Sequence, residues 1–163
     1  GDYRLTAQAS DMTEEARREL LESLMEAEPP KLILAVQGGV FAEGVDYPGD
    51  LLSGVIVVSP ALPQVGFERE LMRRYFERNY GKGFEYAYLY PGMNRVIQSV
   101  GRLIRTETDR GVAVLVCQRF SQAQYRALFR VEWNEDAKQL VTNDLGAELQ
   151  EFWTSFGSPV GRH

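Results

Sequence analysis

Cysteine, histidine and lysine are almost absent from this chain. Cys117 is the single cysteine among 163 residues, and His163, the final residue, is the single histidine. One thiol cannot form a disulfide, a zinc site or an iron–sulfur cluster, and no Ser–His or His–metal chemistry can be assembled inside the fold, so no metal site is expected. Cys117 follows the apolar run Val112-Ala113-Val114-Leu115-Val116, which predicts a buried, inert thiol. No apolar stretch approaches the roughly 20 residues of a membrane helix, and no secretory leader is visible, so no membrane partner and a cytoplasmic location are expected. Only Lys31, Lys82 and Lys138 are lysines; every other cation is an arginine. Phosphate recognition favours that choice, and a GC-rich genome also produces it. The net charge of −5 gives no global basic field, so any nucleic-acid contact has to be a local stripe or be shared with another part.

What is present suits an ordinary globular domain. A hydrophobic fraction of 44% over 163 residues is enough for one sizeable core. The apolar runs Lys31–Gln37, Gly54–Ser59 and Val112–Cys117, with a shorter one at Tyr3–Ala7, read as strands. Amphipathic segments alternate with them: Glu14–Glu28 behind cap residues in Ser10–Thr13, Phe67–Asn79 with Leu71, Tyr75 and Phe76 as its apolar contacts, and a segment from Gly92 to Thr106. Ser121–Phe129 and Ala147–Phe156 read as further helices, and the alternation Tyr86-Ala87-Tyr88-Leu89-Tyr90 suits a strand with one aromatic face. Apolar strands alternating with helices predict an α/β fold with a mainly parallel sheet covered on both faces. Functional residues then belong beyond the carboxyl ends of the strands, where Gly38-Gly39 stands.

The segment Gln98-Ser99-Val100-Gly101-Arg102-Leu103-Ile104-Arg105 is the most informative. At about 100° per residue, Gln98, Arg102 and Arg105 fall within roughly 60° of one another on a helix. Met93, Val96, Ile97, Val100, Leu103 and Ile104 share an arc of about 120° on the other side. The apolar arc would dock the helix and leave a guanidinium face outward, suited to gripping phosphate oxygens bidentately; a merely solvated arginine face explains the same pattern. Asp109 reads as an organiser of the following turn, and Arg69, Arg73 and Arg74 as a solvated face. Trp133 and Trp153 read as packing residues.

Taken in order, Gly38-Gly39-Val40-Phe41-Ala42-Glu43-Gly44-Val45-Asp46, the Pro60-Ala61-Leu62-Pro63 segment, Tyr90-Pro91-Gly92, the pattern Q-x-x-G-R-x-I-R-x-x-x-D-x-G from Gln98 to Gly111, and Arg119-Phe120 resemble superfamily 2 helicases of the XPD/DinG branch. The first and fourth correspond to motifs V and VI. The resemblance covers roughly residues 5 to 130. It implies a three-layer RecA-like, P-loop NTPase-like domain over residues 1–131, with a helical extension and tail over 132–163.

The resemblance also implies roles. Arg105 becomes the arginine finger on the γ-phosphate, Arg102 its neighbour on the phosphates, and Gln98 the residue that orients the attacking water. Gly101 leaves that face open beside Arg102. Gly38, Gly39 and Gly44 with Glu43 and Asp46 form the nucleotide side of motif V, Asp46 holding ribose or coupling nucleotide to DNA. Phe41, Tyr47 and Arg119 are expected on the nucleic-acid side, where stacking aromatics and cations combine. A helicase of this type also needs G-x-x-x-x-G-K-[ST] and an acidic Mg²⁺ motif, and neither occurs in the 163 residues. The expectation is therefore an N-terminally truncated second motor domain that shares ATP and Mg²⁺ with an absent N-terminal RecA-like domain of the same polypeptide. Its partner would be single-stranded DNA, translocated 5′ to 3′ in DNA repair, and any 4Fe–4S cluster would sit in that absent part. The alternative is a non-catalytic protein- or nucleic-acid-binding domain with a helicase fold. The family's usual acidic residue ahead of Arg119 is replaced by Cys117-Gln118, so no role is carried over from it.

Overall fold

A computed structural model describes residues 3–9, 11–24, 26, 29–39, 41, 51–104, 106–133 and 141–155. The chain divides into two compact units, Gly1–Leu128 and Phe129–His163. In the first, β1 (Arg4–Ala7) pairs in parallel with β2 (Lys31–Leu34), in a register from Arg4 opposite Lys31 to Ala7 opposite Leu34. Between them runs α1 (Glu14–Leu24), whose first turn is closed by Thr13 Oγ1 accepting the Ala16 N–H at 3.2 Å. The cap satisfies an orphan donor, and Glu14 and Glu15 favour the positive end of the helix dipole. A second parallel pair joins β3 (Gly54–Val58) to β4 (Val112–Val116). The sheet expected as one mainly parallel layer is thus two parallel pairs among the described residues.

Alternate strand residues stay exposed, Leu5, Leu32 and Leu34 on one pair and Ile56, Val58 and Val116 on the other. The described helices therefore cover these strands less fully than the apolar runs suggest. Leu20 of α1 and Phe41 form a buried cluster, with Met12, Leu21, Leu24, Leu51 and Leu52 packed around them. Cys117 is half-buried rather than enclosed.

The largest departure from expectation lies between Glu85 and Leu89. This segment is a π-helical turn running directly into α3 (Tyr90–Val100), not a strand. The Tyr90 N–H reaches back to Glu85 O, five residues earlier. Pro91 brings no N–H to the ladder, so in an α-helix the Ala87 carbonyl would lose its partner. Instead the Arg69 guanidinium of α2 (Phe67–Tyr80) donates to Ala87 O at 3.4 Å. The wider turn buries three consecutive residues, Ala87, Tyr88 and Leu89. Phe76 of α2 stacks on Tyr86 with ring centroids 4.5 Å apart, while Leu71 and Tyr75 are largely exposed.

Tyr88 also ties α2 to this turn through its hydroxyl, which donates to Glu70 Oε1 at 2.7 Å. Arg73 Nε donates to both Glu70 oxygens, at 3.2 and 3.0 Å. The Tyr88 hydroxyl and then Arg73 hold the Glu70 carboxyl below its ordinary value. The same hydrogen bond, with burial, pushes the Tyr88 phenol up. A lowered carboxyl contributes stability that is present above the unfolded carboxylate pKa and lost as pH falls through the folded value; a raised phenol contributes stability present below about 10 and lost as pH rises through its own. Tyr88→Phe is therefore expected to lower the denaturant midpoint at pH 7, with a gap to the parent that narrows in acid and in strong alkali. Urea titrations at pH 3, 7 and 10.5 measure it, and a gap independent of pH contradicts the assignment.

Two short helical turns follow β4, Gln118–Ser121 and α4 (Ala123–Arg126), where one helix over 121–129 was expected. In the second unit, α5 (Leu145–Ser155) is capped by Asp144 Oδ1, which accepts the Ala147 N–H at 3.0 Å. Trp133 packs with Phe129 and Trp153 with Phe152, at centroid separations of 5.8 and 5.1 Å.

Candidate functional site

The site begins where β2 ends. Gly38 has φ +85°, a left-handed conformation that glycine adopts without steric cost. Gly39 N–H donates to Val36 O at 2.8 Å, closing a tight turn. A Cβ on Gly39 would stand 2.7–2.8 Å from the Gln8 side-chain amide and from Val36 O, so no side chain fits there. Gln8 in turn follows β1, and its Oε1 accepts the Val36 N–H at 3.3 Å. Both glycines are thus required by geometry at the carboxyl ends of two parallel strands.

The second wall is α3. Gly92, Met93, Val96, Ser99 and Val100 form its buried face, and Leu103 continues it. Gly92 lets the helix approach the Pro60–Pro63 segment so closely that a Cβ would lie 2.8 Å from Leu62 Cδ2. Ile97 is half-buried and Ile104 is 49% exposed, so the expected apolar arc holds only as far as Leu103. The reason is that α3 stops at Val100. Gly101 caps it, and Leu103 N–H bonds Val100 O at 3.0 Å in a tighter turn. Of the single helical face expected for Gln98, Arg102 and Arg105, Gln98 lies on α3, Arg102 lies in the turn after it, and Arg105 lies outside the described residues. Gly101 is a helix end rather than a mid-helix gap, and a Cβ there would meet Ile97 O at 3.1 Å.

Gln98 is exposed on the outer side of α3, and Arg102 is half-buried in the turn after it. Arg95, three residues before Gln98, stands on the same side of α3 by helical period. Its guanidinium is the group nearest the open side of Gly38: Cζ, Nε and Nη1 are 3.6, 3.7 and 3.7 Å from where a Gly38 Cβ would stand, ordinary van der Waals distances for such an atom. The glycine turn and α3 thus come near one another at Arg95. Two buried donors lie in the same segments, Gln37 Nε2 and Ser99 Oγ, neither with a hydrogen-bond partner among the described residues.

Phe41 is 2% exposed inside the Leu20 cluster, so its ring has no face left for a base to stack on, and its assignment to the nucleic-acid side is corrected to a core role. Glu43, Gly44, Asp46 and Tyr47 lie outside the described residues. Arg119 is exposed on the turn that follows β4, anchored by the buried Phe120 beside it. Asp109 organises the turn into β4 as expected, its carboxylate accepting the Thr106 N–H at 2.9 Å and the Thr106 hydroxyl at 2.6 Å. No described helix is long and apolar enough to cross a membrane.

Known proteins resemble this chain in sequence and in fold. Residues 2–136 match the family described as the helicase C-terminal domain. A probable ATP-dependent helicase of Methanocaldococcus jannaschii is 30% identical over 128 residues, covering 72% of this chain and 20% of that protein. The ATP-dependent DNA helicase DinG of Photobacterium profundum is 38% identical over 89 residues, covering 53% of this chain and 13% of that protein. The chain therefore spans a fifth or less of the length of these relatives. A solved XPD helicase structure superposes with a TM-score of 0.59 at 21% identity, over 76% of this chain and 22% of that one, so the fold is RecA-like. With a family match over most of its length, a RecA-like fold and relatives of this type, the chain belongs to the helicase C-terminal domain family, in its XPD/DinG-type branch.

Proposed function

We propose that this chain is the second motor domain of an ATP-dependent DNA helicase that moves 5′ to 3′ on single-stranded DNA, and that it handles ATP and Mg²⁺ only together with a first RecA-like motor domain. The observation that carries this reading is the nearness of a glycine turn at the end of β2 to the Arg95 side chain of α3, a helix with a buried face and with Gln98 exposed. A rigid helix can hold polar side chains at fixed distances, which electrostatic catalysis requires. Negative charge spreads over the γ-phosphate oxygens during phosphoryl transfer, and arginines placed there stabilise it. In this reading Arg105 is the finger, Arg102 binds neighbouring phosphate oxygens and Gln98 orients the attacking water. Gly38 and Gly39 admit close approach of the nucleotide, with Glu43, Gly44 and Asp46 completing motif V. A buried donor without an acceptor at Gln37, next to the glycine turn, suits a site that receives an anion. Tyr47 and Arg119 face the DNA.

The first motor domain supplies the phosphate-cradling loop and the Mg²⁺ carboxylates, whose motifs do not occur in these 163 residues. The purified chain is accordingly expected to release no phosphate from ATP above background, with or without single-stranded DNA. With net charge −5 and only local arginines, it is expected to bind a labelled oligonucleotide weakly, with affinity falling steeply as salt rises. Phosphate-release assays and fluorescence anisotropy measure both. DNA-stimulated turnover by this chain alone contradicts the proposal.

A further inference from the structure

We propose that Arg69 is a positioning residue that holds the Glu85–Leu89 π turn closed, and that this turn sets the rotation of α3 and so the direction in which Gln98 points. The functional half of this inference rests on the helicase reading above; the structural half does not.

A π turn closes on the fifth residue rather than the fourth, so it holds about one residue more than an α turn. Everything after it is turned by about 100° relative to an uninterrupted α-helix. Both flanks of the turn are anchored. On one side Tyr86 stacks on Phe76 at 4.5 Å, and the Tyr88 hydroxyl donates to Glu70 Oε1 at 2.7 Å, so both tyrosines are held on α2. On the other, Met93 and Val96 are at most 1% exposed. There Gly92 meets the Pro60–Pro63 segment so tightly that a Cβ would lie 3.1 Å from both Leu62 N and Leu62 Cα. An uninterrupted α-helix would keep one anchor or the other. With the tyrosines held on α2, Met93 and Val96 would swing outward and Gln98 would leave the exposed side. The extra residue lets both anchors hold, with Gln98 exposed.

The turn has one exposed weakness in its bonding. Pro91 carries no N–H, so the chain offers Ala87 O no donor four residues on. Ala87 is 0% exposed, which shuts out water as a substitute. Arg69 Nη1 supplies the donor, at 3.4 Å from Ala87 O, and the same nitrogen lies 4.0 Å from Met72 Sδ on α2. Arg69 is accordingly half-buried, not a member of a solvated face. A buried carbonyl stripped of its donor carries the whole penalty of lost hydration. Without Arg69 the turn opens to admit water, and α3 is no longer fixed in rotation at its first turn. Arg69 thus acts through Ala87 and touches no reacting atom.

Two measurements test this. In the 163-residue chain, amide hydrogen exchange reads Tyr90, whose N–H bonds Glu85 O across the π turn, against Ser59, whose N–H bonds Val116 O on the β3–β4 pair. Arg69→Leu is expected to speed exchange at Tyr90 several-fold while Ser59 stays unchanged. Arg69→Lys, which keeps a donor for a single carbonyl, is expected to retain most of the parental protection. Unchanged exchange at Tyr90 in Arg69→Leu, or equal acceleration at both amides, overturns the positioning role, the second because it marks general destabilisation. In the complete enzyme, Arg69→Leu is expected to lower kcat for ATP by about 10-fold to 100-fold, the scale of a small misplacement of a catalytic group, with KM little changed and with recovery in Arg69→Lys. Loosening at Tyr90 with parental kcat overturns the link from the turn to the site. A parent enzyme whose ATP turnover DNA does not stimulate overturns the helicase reading, and that link with it, while the exchange result still decides the positioning role.

Discussion

Arg105→Ala in the complete enzyme is expected to lower ATP turnover by about 10³–10⁵-fold, the range that an arginine finger contributes to phosphoryl transfer. That range corresponds to roughly 4–7 kcal/mol of transition-state stabilisation. A loss of this size follows if the guanidinium meets charge that develops only as the γ-phosphate reacts, because such an interaction enters kcat in full. KM for ATP should then move little. Arg105→Lys should recover a small part of the rate, since one ammonium replaces a planar fork with a single point of charge. Arg102→Ala should impair turnover too, with a larger share in nucleotide binding. Steady-state kinetics with melting temperatures for each variant separates chemistry from folding, and an Arg105→Ala enzyme that turns over like the parent removes the finger assignment.

Leu103→Ala has the largest expected effect on stability. Leu103 is 5% exposed and closes the buried face of α3 beyond its last full turn. Its side chain lies so close to the Gly111 backbone that a Cβ there would stand 2.4 Å from Leu103 Cδ1. Truncation leaves a cavity between the end of α3 and the entry to β4, at a cost on the order of 2–5 kcal/mol. Gly111→Ala should destabilise by the opposite defect, overpacking against the same leucine. Chemical denaturation of the two single variants and the double variant gives the outcome. The double variant should be less destabilised than the sum of the singles, because the added methyl enters the space that the leucine vacates. Full additivity would mean that the two residues do not share that space.

The parts of the fold that were legible in the sequence are those set by local chemistry. Lys31–Leu34, Gly54–Val58 and Val112–Val116 are short β-branched or aliphatic runs bounded by Gly, Pro or Ser, and they form parallel strands. The α2 range differs from expectation by one terminal residue, because Gly81 at φ 65° ends it in a left-handed cap. Tyr86–Tyr90 misled because alternating tyrosines satisfy a period of two, while a π turn places neighbouring residues inward and Pro91 makes that turn favourable. The end of α3 misled for a similar reason. Leu103 and Ile104 keep the helical period beyond Gly101, yet the chain tightens there and turns Ile104 outward.

The site was legible as two segments, not as a geometry. Gly38-Gly39 and Gln98–Arg102 could be found by their patterns, but nothing local says that α3 comes near Gly38 at Arg95. Phe41 was misplaced because it stands in the sequence among the residues expected to form motif V, whereas its ring packs with Leu20, twenty-one positions earlier. Sequence proximity to a motif describes the backbone path; which way a side chain is buried depends on partners remote along the chain.

The central claim is that this domain works as half of a DNA-dependent ATP motor. Phosphate release by the complete polypeptide, measured with and without single-stranded DNA at saturating ATP and Mg²⁺, tests it most directly. The account predicts turnover that DNA accelerates and that Arg105→Ala abolishes in both conditions; ATP turnover that is absent, or indifferent both to DNA and to Arg105→Ala, would contradict it.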